Sequence, residues 1–367
     1  MSSTRVLGAV GPKKVGAYDV DVMLGKGGMG EVWKATHPRL LRPVALKRLL
    51  LAKADVDDGE DNDALLERFV REGQAMAKLR HESIPAIYDL FEHRGDTWIA
   101  LEYVDGFTVA ELLKAGALAP DVACLIALGV ARALAVAHRA GILHRDIKPA
   151  NVMVSADGTV KLMDFGIAKD ETQNTLTETG GVVGTPAYLA PEVVKGLGAA
   201  PHSDVYAAGC LLYEMLSGRR AFAHADPVNI WGLVATGRFP RLGKVAPQLP
   251  WRLTLLVERA MKTDPRRRPS SAAELAVLIA RFLDDHGGPA DPALRLTGYL
   301  VAVGKVPEET LQAMLPETTS LYIVHEEIPL RRRLVPWRVA ALVSMLVTSV
   351  LFGALALDVE ALRRLLP

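Results

Sequence analysis

Eight consecutive residues, His144-Arg145-Asp146-Ile147-Lys148-Pro149-Ala150-Asn151, followed downstream by Asp164-Phe165-Gly166, constrain this chain more than any other feature in it. Asp146 offers a carboxylate of the kind that takes up a hydroxyl proton. Asn151 and Asp164 offer oxygens of the kind that hold Mg²⁺. A charged helix end and an Asp-led turn would explain either piece alone. They do not explain both pieces in this order.

Upstream, Gly25-Lys26-Gly27-Gly28-Met29-Gly30-Glu31-Val32 places glycines where a backbone must approach phosphate oxygens closely and a Cβ would intrude. Dinucleotide-binding folds use the same glycine spacing, but they need a helix to begin within the motif. Here Glu31-Val32-Trp33-Lys34-Ala35 alternates in polarity and is rich in β-branched and aromatic residues, which predicts a strand. Two strands joined by a glycine hairpin make a flap over a nucleotide. Val44-Ala45-Leu46-Lys47 predicts the next strand, ending in one cation. An isolated lysine there is ordinarily a solvated edge charge, and its place after the flap favours phosphate contact instead. The spacing of Leu65, Leu66, Phe69, Val70, Met76 and Leu79 predicts a helix over 64–79, with Glu67 and Glu72 as acidic candidates. The acidic run from Asp55 to Asp63 reads as a solvated loop.

Two further segments complete the pattern: Gly184-Thr185-Pro186-Ala187-Tyr188-Leu189-Ala190-Pro191-Glu192 and Asp264-Pro265-Arg266-Arg267-Arg268-Pro269. Residues 18–283 resemble the catalytic domain of bacterial, eukaryotic-like Ser/Thr protein kinases, with Ile147 for Leu the one departure in the loop around Asp146. The resemblance implies an α+β, two-lobed fold. A five-stranded antiparallel sheet with one helix would precede a larger, mainly helical lobe, and ATP would lie between them. It implies that Gly25, Lys26, Gly27, Gly28, Gly30, Val32 and Ala45 surround ATP, and that Lys47, paired with Glu72, meets its α- and β-phosphates. Leu101 would control the back of the pocket, and backbone groups around Glu102 and Val104 would meet the adenine edge. Asp146 would be the base, with Lys148 beside it, and Asn151 and Asp164 would hold Mg²⁺ or Mn²⁺.

Lys148 and Thr185 together resemble the Ser/Thr-directed pattern, which implies protein substrates. Glu192 would pair with Arg268, since an unpaired buried carboxylate is costly. Asp204 would hold the loop around Asp146 from below. Arg145 calls for an anion, and a phosphorylated Thr177 or Thr179 would bring about −1.5 to −2 charges. Autophosphorylation is therefore expected, with the chain itself as a partner; a homodimer is one arrangement that would serve it, and the sequence carries no sign of dimerisation. The alternative is a tethered scaffold that binds partners without phosphotransfer. Such proteins lose the lysine, the base or the metal carboxylate, and Lys47, Asp146 and Asp164 are all present.

The formal net charge of +1 gives no reason to expect nucleic acid. The two cysteines, Cys124 and Cys210, lie in apolar stretches and read as core thiols. The N-terminal tail, 1–17, holds too short an apolar run for a signal peptide. Val339–Leu357 is an uncharged stretch whose helix would be about 28 Å long, close to the roughly 30 Å of a bilayer core. Arg331, Arg332, Arg333 and Arg338 precede it, so that side is expected to be cytoplasmic. The organisation expected is a catalytic domain over 18–283, a juxtamembrane linker over 284–334, a transmembrane helix over 335–357 and a short extracytoplasmic tail over 358–367.

Overall fold

The computed structural model describes residues 13–27, 30–49, 70–71, 73–165, 186–223 and 227–315. Gly28, Glu72, Thr177, Thr179, Thr185 and the apolar stretch 335–357 lie outside the described residues. Six strands form one antiparallel sheet: β1 (Lys14–Val15), β2 (Tyr18–Gly27), β3 (Gly30–His37), β4 (Arg42–Leu49), β5 (Ile87–His93) and β6 (Asp96–Glu102). Their order is β1-β2-β3-β4-β6-β5. The expected five strands are six because the short β1 folds back on β2, pairing Lys14 with Asp19.

Side chains alternate between the two faces of this sheet. Trp33, Ala35, Val44, Leu46, Trp98 and Ala100 share one face and form a small core with Val15, Tyr18 and Met23. The registers Val32↔Lys47↔Ile99 and Lys34↔Ala45↔Leu101 place those residues together on the other face. Residues 73–77, here α1, are helical within the segment predicted as a helix.

Beyond β6 the chain builds a second sheet, β7 (Gly106–Thr108), β8 (Val152–Ser155) and β9 (Val160–Leu162), and a helical lobe. Its helices are α2 (Val109–Leu112), α3 (Pro120–Arg139), α4 (Pro191–Val194), α5 (Pro201–Ser217), α6 (Pro227–Thr236), α7 (Leu242–Val245), α8 (Trp251–Ala260) and α9 (Ala272–Asp285). Thr108 starts α2 with a capping box: its side chain accepts from Glu111 N while Glu111 bonds back to the Thr108 amide. In α3 every residue from Val122 to Leu128 is buried, so this helix is the spine of the lobe, packed by α5 and α9. Among the described residues α3 alone is long and apolar enough to cross a membrane, and it lies within the core.

The chain does not leave the lobe as a linker at residue 284. Asp284 and Asp285 end α9, and α10 (Pro292–Ala302) follows, begun by Asp291 as its N-cap. Leu296 and Leu300 of α10 are buried in the main core. A last helix, α11 (Glu308–Met314), starts after Pro307.

Candidate active site

The chemistry-bearing residues sit on short loops that the two sheets and α5 hold in place. Asp146 and Asn151 flank a turn in which Asn151 Nδ2 donates to Asp146 O and Asp146 Oδ2, both at 2.8 Å. Lys148 Nζ donates to the same Oδ2 at 2.9 Å. The β8–β9 pairing Val152↔Leu162 then carries Asn151 alongside the end of β9, where Met163 N donates to Asn151 O at 2.8 Å. One residue further on is Asp164. Local hairpin register therefore brings the two expected metal ligands to one place.

Asp164 meets Lys47 across the cleft, with Nζ 2.6 Å from Oδ1. Desolvation pulls the Asp164 pKa up, but the charge and hydrogen bond of Lys47 outweigh it and hold the carboxyl below its ordinary range. Lys47 reaches the cleft because it lies on the face of β4 opposite the small core. Asp164 has φ of 53° and Arg145 has φ of 61°, a left-handed conformation that non-glycine residues adopt only when their surroundings impose it.

Asp204 imposes it on Arg145. In the first turn of α5, nearly fully buried, it accepts from His144 N at Oδ2 (2.9 Å) and from Arg145 N at Oδ1 (3.0 Å). His138 Nε2, at the end of α3, lies 2.8 Å from the same Oδ2. The His144 ring is fully buried, with Nε2 2.8 Å from Met163 O and Nδ1 accepting from Asp146 N at 3.2 Å. These partners assign the proton to Nε2. Burial pushes the His144 pKa down, against the opposing pull of Asp204. His144 thus links the loop bearing Asp146 to the strand end bearing Asp164. The motif contained His144 but gave no hint of this bridging role, and nothing local to His138 signals its partner.

Glu192 and Arg268 form the pair the sequence implied. Arg268 NH1 and NH2 each lie 2.7 Å from a Glu192 oxygen, and Ser203 Oγ donates to Glu192 Oε1 at 2.8 Å. The guanidinium is also satisfied by Lys262 O, His202 O and Thr263 O. Burial raises the Glu192 pKa, but the hydrogen bonds from Arg268 win and the carboxyl stays below its ordinary value. Arg145, Asp146, Tyr188, Leu189, Ala190 and Asp204 border a cavity of about 30 Å³ beside the Asp146 loop.

At the cleft edge, Glu102 N donates to Ala86 O at 2.8 Å, so its amide is taken. The Glu102 side chain turns away, pairing with Lys161 Nζ at 2.7 Å and accepting from Ala86 N. Lys161 was not foreseen, because the pairing depends on how β9 meets the end of β6. Leu101 is half-buried, and Ala45 and Val104 are buried. In the flap, the register Gly27↔Gly30 closes the β2–β3 hairpin and Gly25 pairs with Val32. Gly30 has φ of 145°, which a side chain would disfavour. Lys26 forms an ion pair with Glu31 at 2.9 Å, beside Arg48.

The donors fit Mg-ATP. The Asn151 amide nitrogen is spent on Asp146, which leaves its oxygen, together with the Asp164 carboxylate, as hard ligands suited to a divalent cation. Lys47 would supply the cation for phosphate oxygens.

An antiparallel sheet over a helical lobe, with Asp146, Asn151, Asp164 and Lys47 gathered at one cleft, is the arrangement expected of a nucleotide-dependent phosphotransferase. The model of the protein kinase domain family matches residues 18–278, and the chain belongs to that family. It is 41% identical over 282 residues to a probable serine/threonine-protein kinase of Streptomyces coelicolor, covering 74% of this chain and 41% of that one. It is 38% identical over 282 residues to the serine/threonine-protein kinase PknJ of Mycobacterium tuberculosis, covering 75% of this chain and 46% of that one. The chain therefore spans less than half the length of these relatives. Among solved structures, the PknI kinase domain of M. tuberculosis is similar with a TM-score of 0.57 and 31% identity, over 73% of this chain and 96% of that one.

Proposed function

We propose that this protein is a serine/threonine kinase that transfers the γ-phosphoryl group of ATP to hydroxyls of protein substrates and of its own chain. The observation that carries the reading is Asp146, fixed between Lys148 and Asn151 beside the Lys47–Asp164 pair. In this reading Asp146 orients the acceptor hydroxyl and takes up its proton as the oxygen bonds to phosphorus and ADP leaves. Lys47 orients the α- and β-phosphates, and Lys148 steadies the charge next to Asp146. Asn151 and Asp164 would hold a divalent cation, Mg²⁺ on the hardness of these ligands, which when bound would offset phosphate charge. A scaffold without phosphotransfer would not need to keep all of these groups.

Two finer readings go with it. Thr177 or Thr179 is the site of autophosphorylation, since its phosphate would bring an anion toward Arg145, which Asp204 holds next to Asp146. Residues 335–357 are a single-pass anchor with the kinase domain on the cytoplasmic side, supported by the uncharged length of Val339–Leu357 and the arginines before it.

The test is phosphate incorporation by the purified chain with Mg-ATP, beside Asp146→Asn, with phosphosite mapping. Phosphate on Thr177 or Thr179 that disappears in the variant supports the kinase reading. ATP binding without any incorporation moves the protein to the scaffold class.

A further inference from the structure

The family match ends at residue 278 and α9 ends at Asp285, yet the chain goes on to pack against the β8–β9 turn and the first turn of α3. From α10, Thr297 is fully buried, and its Oγ1 donates to Ala156 O at 3.1 Å. Ala156 N in turn donates to Asp105 O at 2.9 Å. Asp105 directly follows Val104, and Ala156 directly follows β8, the strand that leads out of Asn151. One hydroxyl on α10 thus closes a short chain of hydrogen bonds joining the strand connection at the adenine edge to the strand that carries a metal ligand.

Three other contacts press the helix into the same place. Gly158, at the β8–β9 turn, has φ of 78°, and a Cβ built on it would lie 2.0 Å from Ala293 O, so the turn and the start of α10 touch backbone to backbone. Arg295 Nε lies 2.6 Å from Asp121 Oδ2 in the first turn of α3. Beyond α10, Lys305 Nζ stands over the Phe107 ring at 5.2 Å, on β7. Because β7 pairs with β8 through Phe107↔Val154 and Thr108↔Met153, both strands leaving the cleft are held from one side by this extension.

We propose that α10 and Lys305 form a brace for the nucleotide site, with Thr297 as a positioning residue that sets the adenine-edge backbone against the Asn151 strand. The brace rests on the kinase reading above for its ligand, not for its contacts. A helix that merely capped the lobe would need its apolar face, Leu296 and Leu300, and no buried hydroxyl. A hydroxyl bonded to Ala156 O, in the turn that follows β8, ties α10 to a residue whose own amide holds Asp105 O, and so fixes the end of β8 against the adenine-edge connection.

The experiment uses the full chain and its Thr297→Val, Thr297→Ser and Lys305→Met variants. Mg-ATP affinity is measured by calorimetric titration, and the KM for ATP and for myelin basic protein by phosphate transfer. Thr297→Val is expected to weaken ATP binding and raise the KM for ATP about fivefold, as loss of one buried hydrogen bond does. The KM for the protein substrate stays unchanged, and Thr297→Ser restores ATP affinity. Lys305→Met, at a more exposed contact, weakens ATP in the same direction with little effect on melting temperature. Unchanged ATP affinity in Thr297→Val and Lys305→Met would overturn the brace. So would losses that follow melting temperature alone and touch both substrates equally. If the unaltered chain transfers no phosphate, the kinase reading falls, while the titrations still decide the brace.

Discussion

Lys47 Nζ and Asp164 Oδ1 lie 2.6 Å apart although 117 residues separate them in the chain. The pair spans the cleft, one member on the sheet of the small lobe and the other just beyond β9. It holds the two lobes in register at the position where phosphates and their cation would be received, and it keeps Asp164 ionised.

Replacing Lys47 by Met removes the cation expected to meet phosphate while keeping an unbranched side chain of similar length. Phosphate transfer is expected to fall about 10²- to 10³-fold, the scale of losing one preorganised electrostatic contact to a reacting group. The chain should still fold, since Lys47 lies on the cleft face and not in the small core. Initial rates at saturating ATP, beside circular dichroism, check this; a rate within threefold or so of the parent would remove Lys47 from the site.

His144 makes the protein sensitive to mild acid. Its ring is neutral in the fold, because Nδ1 accepts from Asp146 N and burial opposes charge. The ordinary histidine value of 6.5 describes the unfolded chain, and the folded value is lower. The stabilising contribution is therefore present above pH 6.5 and is lost as pH falls below it toward the folded value. For one proton the slope approaches about 1.4 kcal/mol per pH unit. Urea midpoints between pH 8 and pH 5.5 should fall more steeply for the parent than for His144→Asn. Parallel slopes would show that His144 is not the group responsible.

Arg268 and Glu192 predict a strongly unequal outcome for single and double changes. Arg268→Leu leaves a buried carboxylate without its cation and should cost about 3–5 kcal/mol. Adding Glu192→Leu should recover only part of this. The carbonyls of Lys262, His202 and Thr263 still lack the guanidinium that satisfied them. Urea unfolding of the two variants gives the comparison, and full recovery in the double variant would contradict the role assigned to those carbonyls.

Both thiols are inert in the fold. Cys124 and Cys210 are free and buried, and burial pushes each thiol far above its ordinary value, so neither forms thiolate near neutrality. A chromogenic disulfide reagent should titrate no fast thiol in the native chain and two in denaturant. A fast native thiol would mean that α3 or α5 opens readily.

Much of the site was legible because its contacts are short in sequence. Asp146, Lys148 and Asn151 bond within a span of six positions, so the motif that carries the family resemblance already held them together. Strand alternation in Glu31–Ala35 and Val44–Lys47 likewise told which residues share a face, since successive side chains on a strand point to opposite sides. It did not tell what that face meets. The sixth strand escaped notice because two residues carry no period.

What the sequence determined by itself was local: the kinds of groups, their spacing, and the alternation that puts Lys47 and Ala45 on one side of a sheet. Tertiary structure decided what those groups touch. His144 and Arg145 find Asp204 only because α5 packs beneath their loop. The Glu102 amide is lost to a ligand only because Ala86 lies opposite it. A stretch rich in Gly and Pro reads as a linker, yet α10 docks because Leu296, Thr297 and Leu300 meet a lobe already shaped to bury them. Periodicity reports which side of an element is apolar, whereas the partner of that side depends on the packing of residues distant in the chain.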